Sequence, residues 1–142
     1  LATNSARKPI ELDNGGFSLP GAVQTVAGWG STDPNRGVYP NTPMEVDVPI
    51  VSSPECNARD SYDGDITSDM ICAGFPAGGK DACGGDSGGP LFTVTPLGVQ
   101  KLTGVVSWGS GCAQPGKYGV YGRVSHVLKW IEGTISSARV VV

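Results

Sequence analysis

Asp81-Ala82-Cys83-Gly84-Gly85-Asp86-Ser87-Gly88-Gly89-Pro90 is the most informative stretch of this 142-residue chain. A serine hydroxyl is a weak nucleophile, so Ser87 can react only if the surrounding backbone presents its Oγ and receives the charge that develops on a carbonyl oxygen. Gly85 has no Cβ, so its N–H can turn toward such an oxygen, and the N–H of Ser87 can be the second donor. The stretch therefore predicts a nucleophilic serine beside a two-donor oxyanion hole.

A glycine-rich stretch is also typical of a flexible surface loop, and only the rest of the sequence distinguishes the two interpretations. Four further blocks accompany it, namely Gly28-Trp29-Gly30, Met70-Ile71-Cys72-Ala73-Gly74, Ser107-Trp108-Gly109 and Gly119-Val120-Tyr121. In this order and at this spacing the blocks resemble the trypsin-like serine proteases of the chymotrypsin family, from about residue 28 to residue 130. Each short block alone is a weak signal, and the joint match is specific.

The resemblance implies an all-β fold. The family folds as two six-stranded barrels, and this chain resembles the second one, an antiparallel Greek-key barrel of six strands with a carboxy-terminal helix. We expect residues 1–20 to be a connector and residues 21–142 to be the barrel with its helix.

Short apolar segments between turns predict the six strands directly from the residues. They are residues 23–29, 44–51, 70–73, 90–94, 101–107 and 119–124. Apolar residues at helical spacing predict the terminal helix, with Ser125 as a candidate N-cap. Ser53-Pro54-Glu55 predicts another helix start, with Ser53 as the cap and Pro54 at the first helical position. We also expect Trp29 and Trp130 in the core.

The catalytic histidine and aspartate of the family lie in its first barrel. This chain has one histidine, His126, which follows all of the blocks and falls in the predicted terminal helix. A solvated helix residue is its expected role, not a general base. We therefore expect a separate amino-terminal chain, cut from this one in the connector, to supply the histidine and aspartate. The alternative is a catalytically inactive binding module with the protease fold, or an autolysis fragment.

By the same resemblance, Asp81 lies at the base of the primary specificity pocket, where a buried carboxylate takes an arginine or lysine side chain as its partner. The alternative is a surface aspartate beside Lys80. The implied pocket walls are Ser107, Trp108 and Gly109 on one side and Gly119 on the other. Ala82 lacks a hydroxyl that helps to hold a lysine ammonium, which favours arginine. Asp86 has a structural role in the family, where it pairs with the amino terminus released by activation.

Four cysteines allow three pairings, and their spacing alone does not choose among them. A metal site is the competing interpretation, but the sequence contains no Cys-x-x-Cys pair. The resemblance implies the pairs Cys56–Cys72 and Cys83–Cys112. Such bridges predict secretion into an oxidising, extracellular compartment.

The net charge of −3 disfavours nucleic acid and anionic membrane as partners, because both select basic surfaces. The aspartates at 60, 63 and 65 do not have the spacing of a calcium-binding EF-hand loop, so we expect no metal and no cofactor. Besides the amino-terminal chain, the expected partners are protein or peptide substrates with arginine or lysine, and protease inhibitors.

Overall fold

The computed structural model of the chain describes residues 8–138. Its elements are β1 (Glu11–Leu12), β2 (Val23–Gly28), β3 (Met44–Val51), α1 (Ser53–Cys56), β4 (Met70–Ala73), β5 (Pro90–Val94), β6 (Gln100–Trp108), β7 (Gly119–Arg123) and α2 (Val124–Ala138). Strands β2 to β7 pair in the closed order β2-β3-β4-β7-β6-β5, with β5 returning to β2, and every pair is antiparallel. This six-stranded barrel with its carboxy-terminal helix confirms the predicted fold class.

Buried residues alternate with more exposed ones in β2 and in part of β3, because successive side chains point to opposite faces of a sheet, whereas β4 and β7 carry runs of three buried residues. Strands β3, β4 and β5 have the predicted bounds, and the ends of β2, β6 and β7 differ from the prediction by one residue. The main core contains Val48, Ile71, Leu91 and Tyr121, all at most 2% exposed. A second cluster surrounds the Cys56–Cys72 disulfide, next to α1.

The described part of the predicted connector is attached to the barrel. Strand β1 pairs in parallel with β6, and the Lys101 ammonium lies 2.6 Å from a Glu11 carboxylate oxygen. Asp13 is buried and accepts a 2.7 Å hydrogen bond from the Ser18 hydroxyl. Gln24, also buried, donates to the Phe17 carbonyl at 2.9 Å. These buried polar groups fix the path of the chain from β1 into β2 because each has a partner.

Three details of the sequence prediction are wrong. Trp29 and Trp130 are 59% and 71% exposed, because one follows the end of β2 and the other lies on an outward face of α2. Ser125 lies inside the first turn of α2, which begins at Val124. Helix α1 is capped by Ser52, whose hydroxyl accepts the Glu55 N–H at 3.3 Å, so Ser53 is already helical. Two adjacent serines compete for that cap, and the backbone conformation decides between them.

Among residues 8–138, no helix is long and apolar enough to cross a membrane.

Candidate active site

Ser87 lies in the loop between β4 and β5, at an exposed position. Backbone hydrogen bonds hold the loop on both sides of it: Asp86 N donates to Cys83 O at 3.0 Å, and Gly89 N to Asp86 O at 2.8 Å. Gly88 N also donates to Val106 O on β6 at 2.9 Å. The serine is therefore presented to solvent by a short loop that is fixed to the barrel.

Gly85 has a left-handed backbone conformation, with φ at +101°. A Cβ at this position would lie 3.1 Å from Gly30 Cα and 3.2 Å from Tyr39 Cε1. Both the torsion angle and the close packing require glycine. The role of Gly85 as one of the two oxyanion donors stays a prediction.

Asp86 is turned inward, toward the end of β2. Its carboxylate accepts Gly30 N at 2.7 Å and Cys83 N at 2.9 Å. A Cβ on Gly28 or Gly30 would overlap the Asp86 carboxylate. The block Gly28-Trp29-Gly30 thus makes room for this side chain, which the sequence alone did not reveal.

One cavity of about 320 Å³ brings together most of the residues that the sequence analysis singled out. Its lining contains Asp81, Ala82, Ser87, Ser107, Trp108, Gly109 and Gly119. Gly85 and Asp86 are not part of that lining and directly precede Ser87 in the chain. His126 is not part of it either, since it lies on α2. Within the described residues, no three metal-binding side chains form a group.

Asp81 is the acidic group of the cavity. Its Oδ2 accepts the Ala113 N–H at 2.9 Å, whereas its Oδ1 is buried and has no hydrogen-bond partner among the described residues. Burial raises the pKa of this carboxyl, while the N–H groups of Ala113 and Ala82 lower it and the charge of Asp86 raises it. A cationic ligand would stabilise the ionised form of such a carboxyl by providing a partner for Oδ1.

Gly119 keeps the space beside Asp81 open. A Cβ on Gly119 would lie 2.6 Å from Asp81 Oδ1 and 2.9 Å from the Tyr121 hydroxyl. That hydroxyl is buried and also lacks a partner among the described residues, and burial raises the pKa of Tyr121. Gly109 is less restricted, since a Cβ there would have its nearest neighbours at 3.6 to 3.8 Å.

Two tyrosines at this cavity were not predicted as site residues from the sequence. Tyr121 lines it, although the sequence analysis used the residue only as part of a family block. Tyr62 lies behind the wall, with its ring 5.0 Å from that of Trp108 in an edge-to-face arrangement. The loop that carries Tyr62 has no apolar periodicity, so no sequence signal pointed to it.

Both predicted disulfides are present, Cys56–Cys72 and Cys83–Cys112. Cys83 and Cys112 line the cavity, and the bridge joins residues 81–85 to the loop between β6 and β7. A second cavity of about 300 Å³ lies against Asp86, and Asp81, Cys83 and Cys112 line it as well. The two cavities therefore share a wall.

Comparison with known proteins agrees with these features. The family model described as Trypsin matches residues 1–131. The chain is 48% identical to Trypsin-1 of Astacus astacus over 93% of its own length and 54% of that protein, and 50% identical to Trypsin-3 of Salmo salar over 79% and 44%. It is 43% identical to Serine protease 1 of Homo sapiens over 94% of the chain and 53% of that protein. The chain spans about half the length of these relatives. It belongs to the trypsin family of serine proteases.

Proposed function

We propose that this chain is the carboxy-terminal half of a secreted endopeptidase that cleaves peptide bonds after arginine or lysine. The supporting observation is a single cavity lined both by the exposed Ser87 and by Asp81, which has a buried, unpartnered carboxylate oxygen. A positively charged substrate side chain would supply that partner, while the backbone carbonyl of the same substrate residue would reach Ser87. Ala82 offers no hydroxyl for an ammonium, which favours arginine.

In the proposed reaction the Ser87 hydroxyl attacks the scissile carbonyl and passes its proton to a histidine of the amino-terminal chain, which an aspartate of that chain orients. The N–H groups of Gly85 and Ser87 hold the oxyanion. The histidine then protonates the leaving amine, and the C–N bond breaks to leave an ester on Ser87. Water hydrolyses that ester and restores the hydroxyl.

Two observations support an amino-terminal half that packs against this chain. The relatives are about twice as long as the matched region, and large apolar side chains of this chain are exposed, including Trp29, Trp130 and Ile135. Exposed side chains of this size would be available for contact with such a half. Asp86 and the second cavity are the proposed receptor for the amino terminus of that partner, whose charge would pair with the carboxylate.

The protease with both halves present tests the proposal. Ser87→Ala should abolish turnover of an arginyl substrate and leave benzamidine binding near that of the unmodified protein. Asp81→Ser should lower activity on the same substrate by more than about tenfold, because the carboxylate supplies charge-assisted hydrogen bonds. Ser136→Ala changes an exposed serine of α2 and is the control. Full turnover by Ser87→Ala would refute the assignment.

The alternative is an inactive binding module or an autolysis fragment. Reaction with a fluorophosphonate distinguishes this alternative from an active endopeptidase, because rapid modification of Ser87 requires an activated hydroxyl. Labelling at Ser87 favours the endopeptidase, and its absence favours the alternative. Intact-mass analysis should also reveal the second polypeptide.

A further inference from the structure

We propose that Lys117 is a positioning residue for the specificity pocket and acts through Tyr62. The inference rests on the proposed function, which assigns the cavity at Asp81 to a basic side chain. Lys117 lies in the loop between β6 and β7 and does not line that cavity.

Tyr62 joins the two ends of this loop. Its buried hydroxyl donates to the Tyr118 carbonyl at 2.7 Å and accepts the Ser110 N–H at 3.1 Å. Ser110 is near the end of β6 and Tyr118 just precedes β7, so one hydroxyl fixes the distance between them. A buried hydroxyl with two such partners holds its position firmly.

The same tyrosine supports the pocket wall from behind. Its ring meets the Trp108 ring at a centroid distance of 5.0 Å and an interplanar angle of 69°. A Cβ on Gly109 would lie 3.8 Å from the Tyr62 hydroxyl. Edge-to-face contact of this kind fixes the orientation of both rings. Displacement of Tyr62 would therefore release Trp108 and Gly109.

Tyr62 in turn depends on the loop between α1 and β4. Asn57 closes this loop: its side-chain N–H donates to Ile66 O at 2.9 Å, and its Oδ1 accepts Ile66 N at 2.8 Å. Asn57 thus ties the two ends of the loop together.

Lys117 is the cation that holds this loop to the β6–β7 loop. Its ammonium donates to the carbonyls of Ser61 and, at 3.3 Å, Asp60, and it lies 5.4 Å from the centre of the Tyr62 ring. No carboxylate of the described residues forms a salt bridge with it. Its interactions are those of a charge with two carbonyl dipoles and a π-face, and a neutral side chain cannot supply their charge-assisted part.

The test compares Lys117→Met, which keeps the stem and removes the charge, with Lys117→Arg, which keeps a cation. Lys129→Met, on an exposed part of α2, is the control for net charge. The complete protease is titrated with the fluorescent ligand p-aminobenzamidine and assayed on an arginyl ester. We expect Lys117→Met to weaken amidine binding and raise KM about tenfold, with kcat within about twofold, as loss of one charge-assisted contact suggests. Lys117→Arg should restore most of the affinity, and Lys129→Met should match the unmodified protein.

The outcomes separate the inference from the proposed function. Normal amidine binding by Lys117→Met in an active protease overturns the inference and leaves the function standing. Weakened binding by Lys117→Met, in a protein that binds amidine but hydrolyses nothing, supports the inference and overturns the function. No amidine binding by the unmodified protein overturns both. A fall in kcat with unchanged KM and amidine affinity for Lys117→Met also overturns the inference. Such a result would mean that Lys117 affects the reacting groups and not the pocket.

Discussion

The Tyr121 hydroxyl and Asp81 Oδ1 lie on the same side of Gly119, and each is buried without a hydrogen-bond partner among the described residues. Two unpaired polar atoms at one place are unusual in a folded protein, where buried polar groups nearly always have partners. Their positions define the space that a ligand with several N–H donors would occupy.

Gly119→Ala should remove that space. The new Cβ would lie 2.6 Å from Asp81 Oδ1, closer than real Cβ atoms approach their neighbours. We expect kcat/KM for an arginyl substrate to fall about 100-fold or more, because the basic group can no longer reach the carboxylate. The matched control is Gly122→Ala in the same strand, where the nearest atom would be 3.9 Å away. Equal activity of the two variants would contradict the pocket assignment.

Binding of a cation should depend on the ionisation of Asp81. Burial raises the pKa of this carboxyl above its ordinary value of 3.8, so the folded protein keeps the proton to higher pH than the unfolded chain does. The protonated form therefore contributes stability below the unfolded pKa, and this contribution is lost as pH rises through the folded pKa. Benzamidine affinity should change in the opposite sense and increase with pH over that interval.

Calorimetric titration of benzamidine as a function of pH measures this dependence without involving the catalytic base. The midpoint should lie above 3.8 for the unmodified protein, and Asp81→Asn should bind weakly at every pH. A midpoint at or below the ordinary value would show that burial does not control this carboxyl.

Gly85→Ala should impair the chemical step. Its φ of +101° is unfavourable for alanine, and the added Cβ would press against Gly30, so the Gly85 N–H must shift. Loss of one oxyanion donor lowers kcat by about 100-fold or more, with little change in KM. Gly98→Ala has similar strain, at φ +77° in the β5–β6 hairpin, and should lower the melting temperature without changing kcat. Steady-state kinetics and calorimetry distinguish the two.

The two disulfides should differ in their effect on binding. Each closes a loop whose loss costs about 3 kcal/mol in the chain-entropy model, so replacing either cysteine pair with serines should lower the free energy of unfolding similarly. Only Cys83 and Cys112 line the cavity. Their replacement should weaken benzamidine binding by at least about tenfold in the folded protein, while replacement of Cys56 and Cys72 should not. Denaturant titrations and binding measurements in the cold provide the check.

Much of this barrel could be predicted from local patterns. The alternation in β3 and the turn residues on either side of β5 define strands without reference to the rest of the chain. The family blocks also contain most of the residues that line the cavity, because these residues lie within short stretches of defined spacing. Both disulfide pairings came from the resemblance as a whole, since Cys56 and Cys112 lie outside the blocks.

The remaining features depend on contacts between distant residues. Tyr62 meets Tyr118 across 56 residues, and Asp86 meets Gly30 across the same separation. No pattern within a single segment of the sequence indicates either contact. The exposure of Trp29 and Trp130 was missed for a related reason, since hydrophobicity does not tell which face of an element a side chain occupies.

Tyr121 is completely buried in the main core and also lines the cavity. A substitution of Tyr121 that changed the shape of the cavity would therefore also disturb the packing of the barrel interior and lower the stability of the fold. Gly109 has no such constraint, because an added methyl group would make only ordinary contacts. In the proposed substrate pocket, a new specificity is accordingly easier to obtain by substitution in the wall at Gly109 than by substitution at Tyr121.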